Sequence, residues 1–222
     1  MIRKFRHAIV TGGAGFIGSH LSKYLISKGI KVTVIDNFST GSESNLKSIR
    51  TKITLVNCDI SDNSIDDYFQ NVDVVFNCAA IVGVKLATSK PLEVLDQNIS
   101  NVRKILDLCR KNNALHIFIS SSEVYGNSLD MPVSENSVLV PVSPYGLSKI
   151  VGETYCSSFK RKYTMPFNKR IQRPSTCFMD IHTLHTPWRL QQPLQRWTHI
   201  RMTDYSPMQI RWKDIGKMRF IH

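Results

Sequence analysis

"HAIVTGGAGFIGSHL", residues 7–21, decides the fold. The apolar "HAIVT" (7–11) reads as a short buried strand. "GFIGSHLSKYLISKG" (15–29) reads as a helix, because Phe16, Ile17, Leu21, Tyr24 and Leu25 fall on one face and Gly29 follows as a stop. Between the two stand Gly12, Gly15 and Gly18. Glycine weakens both strand and helix, so three of them need a local reason. A strand, then G-x-x-G-x-x-G, then a helix puts bare backbone at a tight turn. There the main-chain N–H groups and the helix N-terminus can face the negative charge of a pyrophosphate.

Outward from this turn, strands and helices alternate. "KVTVID" (31–36) is the next strand and ends on Asp36, 18 residues beyond Gly18. A carboxylate there accepts hydrogen bonds from ribose hydroxyls and repels a 2′-phosphate, which favours NAD over NADP. "NFSTGSESN" is a polar loop. Further strands are predicted at 52–60, 72–80 and 114–122, with a short helix in "SIDDYF". Long helices are predicted over about 91–111, with Pro91 in the first turn, and over 143–163. Strands apolar on both faces, alternating with helices, specify an α/β fold: a doubly wound parallel sheet of the Rossmann type.

Composition sets outer limits. The 222 residues are 42% hydrophobic and 21% charged, ordinary for a globular chain. No apolar run reaches membrane-spanning length. The basic start and short apolar run of "MIRKFRHAIVTGG" stop at glycines and do not read as a signal peptide. Five widely spaced cysteines show no metal-ligand pattern and read as reduced thiols of a cytoplasmic protein. The net charge of +12 is uneven: residues 168–222 hold ten of the 29 Lys/Arg but three of the 17 Asp/Glu.

"SPYGLSK" narrows the chemistry. Tyr145 and Lys149 are four apart on a predicted helix and share a face. An ammonium beside a phenol stabilises the phenolate and lowers a pKa that starts near 10; the positive nicotinamide ring would add to this, giving a base for near-neutral pH. "FISSSEVYG" supplies hydroxyls at the C-terminal end of the fifth strand, where ligands of such sheets bind.

With TGGAGFIG, Asp36, Tyr-x-x-x-Lys and SSSEVYG together, the chain from about His7 to Phe167 resembles the extended short-chain dehydrogenase/reductase family. Within it the match is to the NAD-dependent nucleotide-sugar epimerases and dehydratases, of the UDP-glucose 4-epimerase type. The resemblance implies a role for each matching position. Gly12, Gly15 and Gly18, with Phe16 and Ile17, would hold the pyrophosphate of NAD. Asp36, Asn37, Ser39, Thr40 and Gly41 would surround the adenosine ribose, and Asp59 and Ile60 would flank the adenine. Ala79 and Ala80 would line the path to the nicotinamide, and Asn98, which matches a family Asn in the long central helix, would also contact the cofactor. Ser121, Tyr145 and Lys149 match the catalytic residues, and Glu123 matches a Glu that is catalytic in some dehydratases and decarboxylases. Tyr145 and Lys149 also count toward cofactor binding. The implied reaction removes a hydride from sugar C4 of a nucleotide-sugar, passes through a 4-keto intermediate and returns the hydride to the other face. A dehydratase or decarboxylase is the alternative; a non-catalytic NAD-binding remnant or interaction module is a third. Ser122 stands where one dehydratase subgroup carries an acid, which argues against that subgroup. The family also implies a homodimer through the two long helices.

The chain therefore divides into an NAD-binding domain, residues 1–167, and an atypical tail, residues 168–222. All three Trp (Trp188, Trp197, Trp212) lie in the tail, and only Arg173–Pro174 echoes the family there. The expected C-terminal substrate domain is missing or atypical, and the chain reads as truncated. A shortened cap, a disordered or partner-binding extension and a frame-shifted continuation are the readings, the abrupt change in composition favouring the last. His182, His185 and His199 have no nearby carboxylate or Cys partners, so no metal site is expected. The tail carries no recognisable nucleic-acid-binding motif, so nucleic acid is not an expected partner.

Overall fold

The computed structural model describes residues 5–82, 89–127, 133 and 137–163, with side chains followed to Phe159, and the backbone of three strands at 177–180, 200–202 and 209–210. The strands are β1 (His7–Thr11), β2 (Lys31–Asp36), β3 (Ile53–Asn57), β4 (Val74–Asn77), β5 (Leu115–Ile119), β6 (Cys177–Asp180), β7 (Ile200–Met202) and β8 (Gln209–Ile210). The α-helices are α1 (Phe16–Ser27), α2 (Pro91–Lys111) and α3 (Pro144–Tyr163). The sheet order is β3-β2-β1-β4-β5-β6-β7-β8, parallel through β6 and antiparallel beyond it. The order reverses between β1 and β4, so the crevice at their carboxyl ends is the place for a ligand.

Alternation along β1 explains why both faces of the sheet are covered. Ala8 and Val10 pack with Leu21 and Leu25 of α1, while Ile9 packs with Ile105 and Leu108 of α2 on the opposite face. Pro91 opens α2, Glu93 lies in its first turn and Arg110 and Lys111 lie in its last, each suited to the helix dipole. A third cluster joins Val102 and Leu106 of α2 to Phe118 of β5 and Cys156 of α3.

Several predicted boundaries move. The strands expected at 52–60, 72–80 and 114–122 are shorter at their carboxyl ends. The chain leaves the sheet there to form the rim of the crevice: Cys78 and Ala79 turn against Gly12, and Ser121 caps a short 3-10 segment, Ser122–Tyr125. Part of the polar loop after β2 enters a 3-10 segment, Glu43–Lys52, anchored by buried Leu46 and Ile49. "SIDDYF" is likewise 3-10 rather than α-helical, within Asn63–Phe69. Past Phe167, Cys177–Asp180 pairs with β5 as a sixth parallel strand. Four residues carry too little periodicity to be read from sequence. The tail tryptophans, Arg173–Pro174 and the three tail histidines lie outside the described residues.

A buried polar thread crosses the sheet beneath the crevice. Thr11 Oγ1 donates to Asn77 Oδ1 at 3.0 Å, and Asn77 Nδ2 stands 3.4 Å from His116 Nε2. His116 Nδ1 faces Cys156 Sγ at 3.8 Å. Since Asn77 commits its oxygen to Thr11, its amide donates to His116, which assigns the His116 proton to Nδ1. A second proton would set N–H against N–H in a dry site. Burial accordingly pushes the imidazole pKa from 6.5 down to about 3. Its folded value lies below its unfolded one, so the contribution to stability is complete above pH 6.5 and is lost as pH falls toward 3. Relative to a His116→Asn variant, the wild-type chain is expected to lose about 1.4 kcal/mol of stability per pH unit below that point. Urea unfolding of both proteins at pH 7, 6 and 5 checks the slope; parallel curves would contradict it.

Candidate active site

The glycine loop is built by steric necessity. Gly12 has φ +64°, and a Cβ there would lie 2.8 Å from the backbone N and Cα of Ala79. A Cβ on Gly18 would meet Gly12 O at 2.3 Å, so the first turn of α1 packs directly on the loop. Gly12 N–H donates to Ile35 O at 2.8 Å, which ties the loop to β2. Ala79 N–H donates to Thr11 Oγ1 at 3.3 Å, which ties it to the end of β4. Gly15 caps helix α1 without a side-chain bond, and the helix N-terminus stands beside the loop at the carboxyl ends of β1 and β4. A bare backbone at a helix N-terminus fits a diphosphate.

Asp36 ends β2, nearly buried. Its Oδ2 accepts the Ala14 N–H and its Oδ1 the Phe38 N–H, both at 2.8 Å. The carboxylate thus braces the glycine loop, and its remaining lone pairs are left for ribose hydroxyls. Asn37, Ser39 and Thr40 are exposed on the following loop, with Gly41 half-buried beside them. Asn37 Nδ2 donates to Asp59 Oδ2 at 2.6 Å, joining the two loops predicted to hold the adenosine. The Ser61 N–H, then the Ser61 hydroxyl, Asn37 and the Lys104 charge hold Asp59 below the usual carboxylate range against its partial burial. Ile60 is buried beside it, in the α2-side core.

At the other end of the crevice, Ser121, Tyr145 and Lys149 come together. Lys149 Nζ is buried, donates to Ile119 O at 2.7 Å and lies 5.5 Å from the Tyr145 ring centroid. Desolvation lowers its pKa from 10.5 to about 8. The sequence spacing predicts that Lys149 lowers the Tyr145 phenol, and the structure corrects this. Burial raises the phenol to about 12; a hydrogen bond with Ser121 pulls it down and the Glu123 charge pushes it up. The ammonium is turned to a backbone carbonyl and does not offset the burial.

Glu123 is exposed at the rim. Ser143 Oγ donates to its Oε2 at 2.6 Å and accepts the Gly146 N–H at 2.9 Å, capping α3. Ser before Pro at a helix start is a readable cap signal; its second bond, to a carboxylate twenty residues away, is not. Asn98 is placed differently from the expectation of a cofactor contact. Its Oδ1 accepts the Ile81 N–H at 2.8 Å, and its Nδ2 donates to Ile81 O and Ser148 Oγ. Both donors of its amide are committed to the protein, so it clamps the chain after β4, next to Ala79 and Ala80, to α3. Among the described residues there is no group of three or more His, Cys, Asp or Glu able to hold a metal ion. No helix among them is long and apolar enough to cross a membrane.

Comparison with known proteins decides the family. The family model described as "NAD dependent epimerase/dehydratase family" matches residues 8–177. The chain belongs to this family. That match runs ten residues past Phe167, where the resemblance in the sequence was expected to end. A putative UDP-glucose 4-epimerase of Methanocaldococcus jannaschii is 40% identical over 163 residues, covering 72% of this chain and 52% of its own length. A UDP-N-acetyl-alpha-D-glucosaminuronate decarboxylase of Bacillus cytotoxicus is 34% identical over 160 residues, covering 69% and 50%. Among solved structures, the UDP-N-acetylglucosamine 4-epimerase of Methanobrevibacter ruminantium, in complex with UDP-N-acetylmuramic acid, has a TM-score of 0.70 at 34% identity and covers 81% of this chain and 55% of that one. The chain spans about half the length of the relatives it matches.

Two left-handed glycines separate conformational strain from close approach. Gly29 has φ +74° and nothing within 4 Å of the place a Cβ would take, whereas Gly12 combines φ +64° with the Ala79 backbone. Gly29→Ala is expected to cost about 1 kcal/mol and leave NAD binding intact. Gly12→Ala adds an overpacking cost of about 1–3 kcal/mol and abolishes NAD binding. Denaturant unfolding and calorimetry of the two variants check the contrast.

Proposed function

We propose that this chain carries the cofactor and catalytic half of an NAD-dependent nucleotide-sugar 4-epimerase of the UDP-glucose type. The observation that carries the reading is the placement, in one crevice, of a glycine loop braced by Asp36 and a Ser121–Tyr145–Lys149 group at the opposite end. On this reading residues 1–167 are the cofactor-binding unit. The first turn of α1, seated on the glycine loop through Gly12 and Gly18, meets the diphosphate, Asp36 the ribose, and Asp59 and Ile60 the adenine.

NAD bound in this crevice would supply the hydride acceptor and donor. The chain's own residues handle the proton and the oxygen. The phenol of Tyr145 is protonated in the protein alone, so a nearby positive charge has to lower it, and the nicotinamide end of the cleft is where that charge arrives. With its own proton released to solvent under that charge, the Tyr145 phenolate would accept the proton of the sugar C4 hydroxyl. The Ser121 hydroxyl, hydrogen-bonded to the phenol, stabilises the substrate oxygen as the carbonyl forms. Lys149 stands beside the same ring, its ammonium anchored on Ile119 O. The same phenol would return the proton to the C4 oxygen when the ketone is reduced on its other face.

A specific observation favours a second reading. Glu123 presents a carboxylate at the rim beside Tyr145, fixed by Ser143, and one similar protein is named a decarboxylase. There the same ketone would serve as an electron sink for loss of carbon dioxide from a uronic-acid nucleotide. The exposed Val138, Val140, Val142 and Leu147 lie beside the start of α3. A homodimer through the outer faces of α2 and α3, which expose Leu92 and Leu147, belongs to the same proposal, as does a cytoplasmic site of action.

Product analysis of the 222-residue chain with NAD and a panel of UDP- and dTDP-hexoses and uronic acids tests the reading. A C4 epimer with no loss of mass supports it, and release of carbon dioxide moves the assignment to the decarboxylase. Tyr145→Phe is expected to bind NAD as the parent does and to lose turnover by roughly 10²-fold or more. Undiminished turnover would remove Tyr145 from its role.

A further inference from the structure

The loop after β2 does more than line the ribose end of the crevice. The peptide groups at the tip of the glycine loop are held from outside the loop. Ala14 is fully buried, and its N–H goes to Asp36. Its carbonyl accepts two bonds, from Asn45 Nδ2 at 2.8 Å and from Ser42 N–H at 3.1 Å. The next N–H, that of Gly15, goes to Gly12 O at 3.1 Å. The Ala14 N–H and carbonyl and the Gly15 N–H are therefore committed to protein partners, which leaves the first turn of α1 to meet the diphosphate.

The partners sit on an anchored segment. Ser42 caps the 3-10 segment Glu43–Lys52, and Leu46, next to Asn45, is buried in the α1-side core. Gly41 completes the contact: a Cβ there would lie 2.9 Å from Ala14 Cβ and 3.1 Å from Asp36 Oδ1. Neither Ser42 nor Asn45 belongs to the glycine signature, and Asn45 lies 31 residues from the group it holds.

We propose that residues 42–45 are a positioning strap that couples the adenosine end of the cleft to the diphosphate cradle, with Asn45 as its principal residue. The proposal rests on the reading of this cleft as a dinucleotide site. Asn45 touches no cofactor on this account; it fixes the carbonyl of Ala14, and through it the direction in which α1 presents its N-terminus. Loss of that bond weakens ligands that carry a diphosphate and spares ligands that do not.

The test is calorimetric titration of the full chain with NAD, ADP and adenosine. Asn45→Asp keeps the shape of the side chain and removes the donor, and Asn45→Ala removes both. Each variant is expected to bind NAD and ADP about tenfold more weakly than the parent, by the same factor for both ligands, with adenosine changed less than about twofold. Far-ultraviolet circular dichroism of the unliganded variants shows whether they are folded as the parent is. NAD binding by folded Asn45→Asp equal to that of the parent would overturn the strap, and so would an equal loss for adenosine. Failure of the parent chain to bind NAD would instead overturn the cofactor reading and the coupling with it.

Discussion

The close approach of two backbones, Gly12 against Ala79, is the contact on which the rest depends. It brings the ends of β1 and β4 within 2.8 Å of where a side chain would begin, at the place where the strand order reverses. A methyl group would part them. With them together, α1 starts immediately beside the sheet and its N-terminus opens onto the crevice. The third glycine serves the same contact from the helix side, because the first turn of α1 rests on Gly12 itself.

Support for this seam comes from layers that do not touch a ligand. Thr11 holds Ala79 and hands its own proton to Asn77, which leans on His116 and, through it, on Cys156 of α3. The helix that carries Tyr145 is thereby joined through the sheet to the glycine loop. Asn98 ties the same helix to the chain just after Ala80. Each of these groups is buried and partnered, so displacement of one leaves another unsatisfied, at about 1–3 kcal/mol per group. Such a network ties the glycine loop, the chain after β4 and α3 to one another across the sheet.

Much of this is legible in the sequence, for physical reasons that differ from place to place. The alternation of apolar strands and amphipathic helices shows because both faces of a parallel sheet must be covered, and the pattern repeats over long stretches. The glycine loop shows because close backbone approach admits one residue type. Tyr145 and Lys149 show because helical spacing places them on one face. The bond from Asn45 to Ala14 and the thread through His116 join residues 31 to 40 apart, and no local pattern reports such a pairing. The direction of the Tyr145 shift is hidden for a related reason. Spacing tells that an ammonium is near, but burial of the phenol and the choice of Ile119 O as the ammonium's acceptor are properties of the packed protein. Cys177–Asp180 escapes a sequence reading because four residues do not make a period.

The central claim is that the seam at Gly12 and the phenol of Tyr145 face one dinucleotide from its two ends. Amide- and ring-resolved nuclear magnetic resonance of the chain during addition of NAD tests it most directly. The account predicts concerted, saturable shifts in the amides of Gly12 to Gly18 and Asp36 to Gly41 together with the ring signals of Tyr145. Shifts confined to one end, or signals at both ends that stay still at saturating NAD, would contradict it.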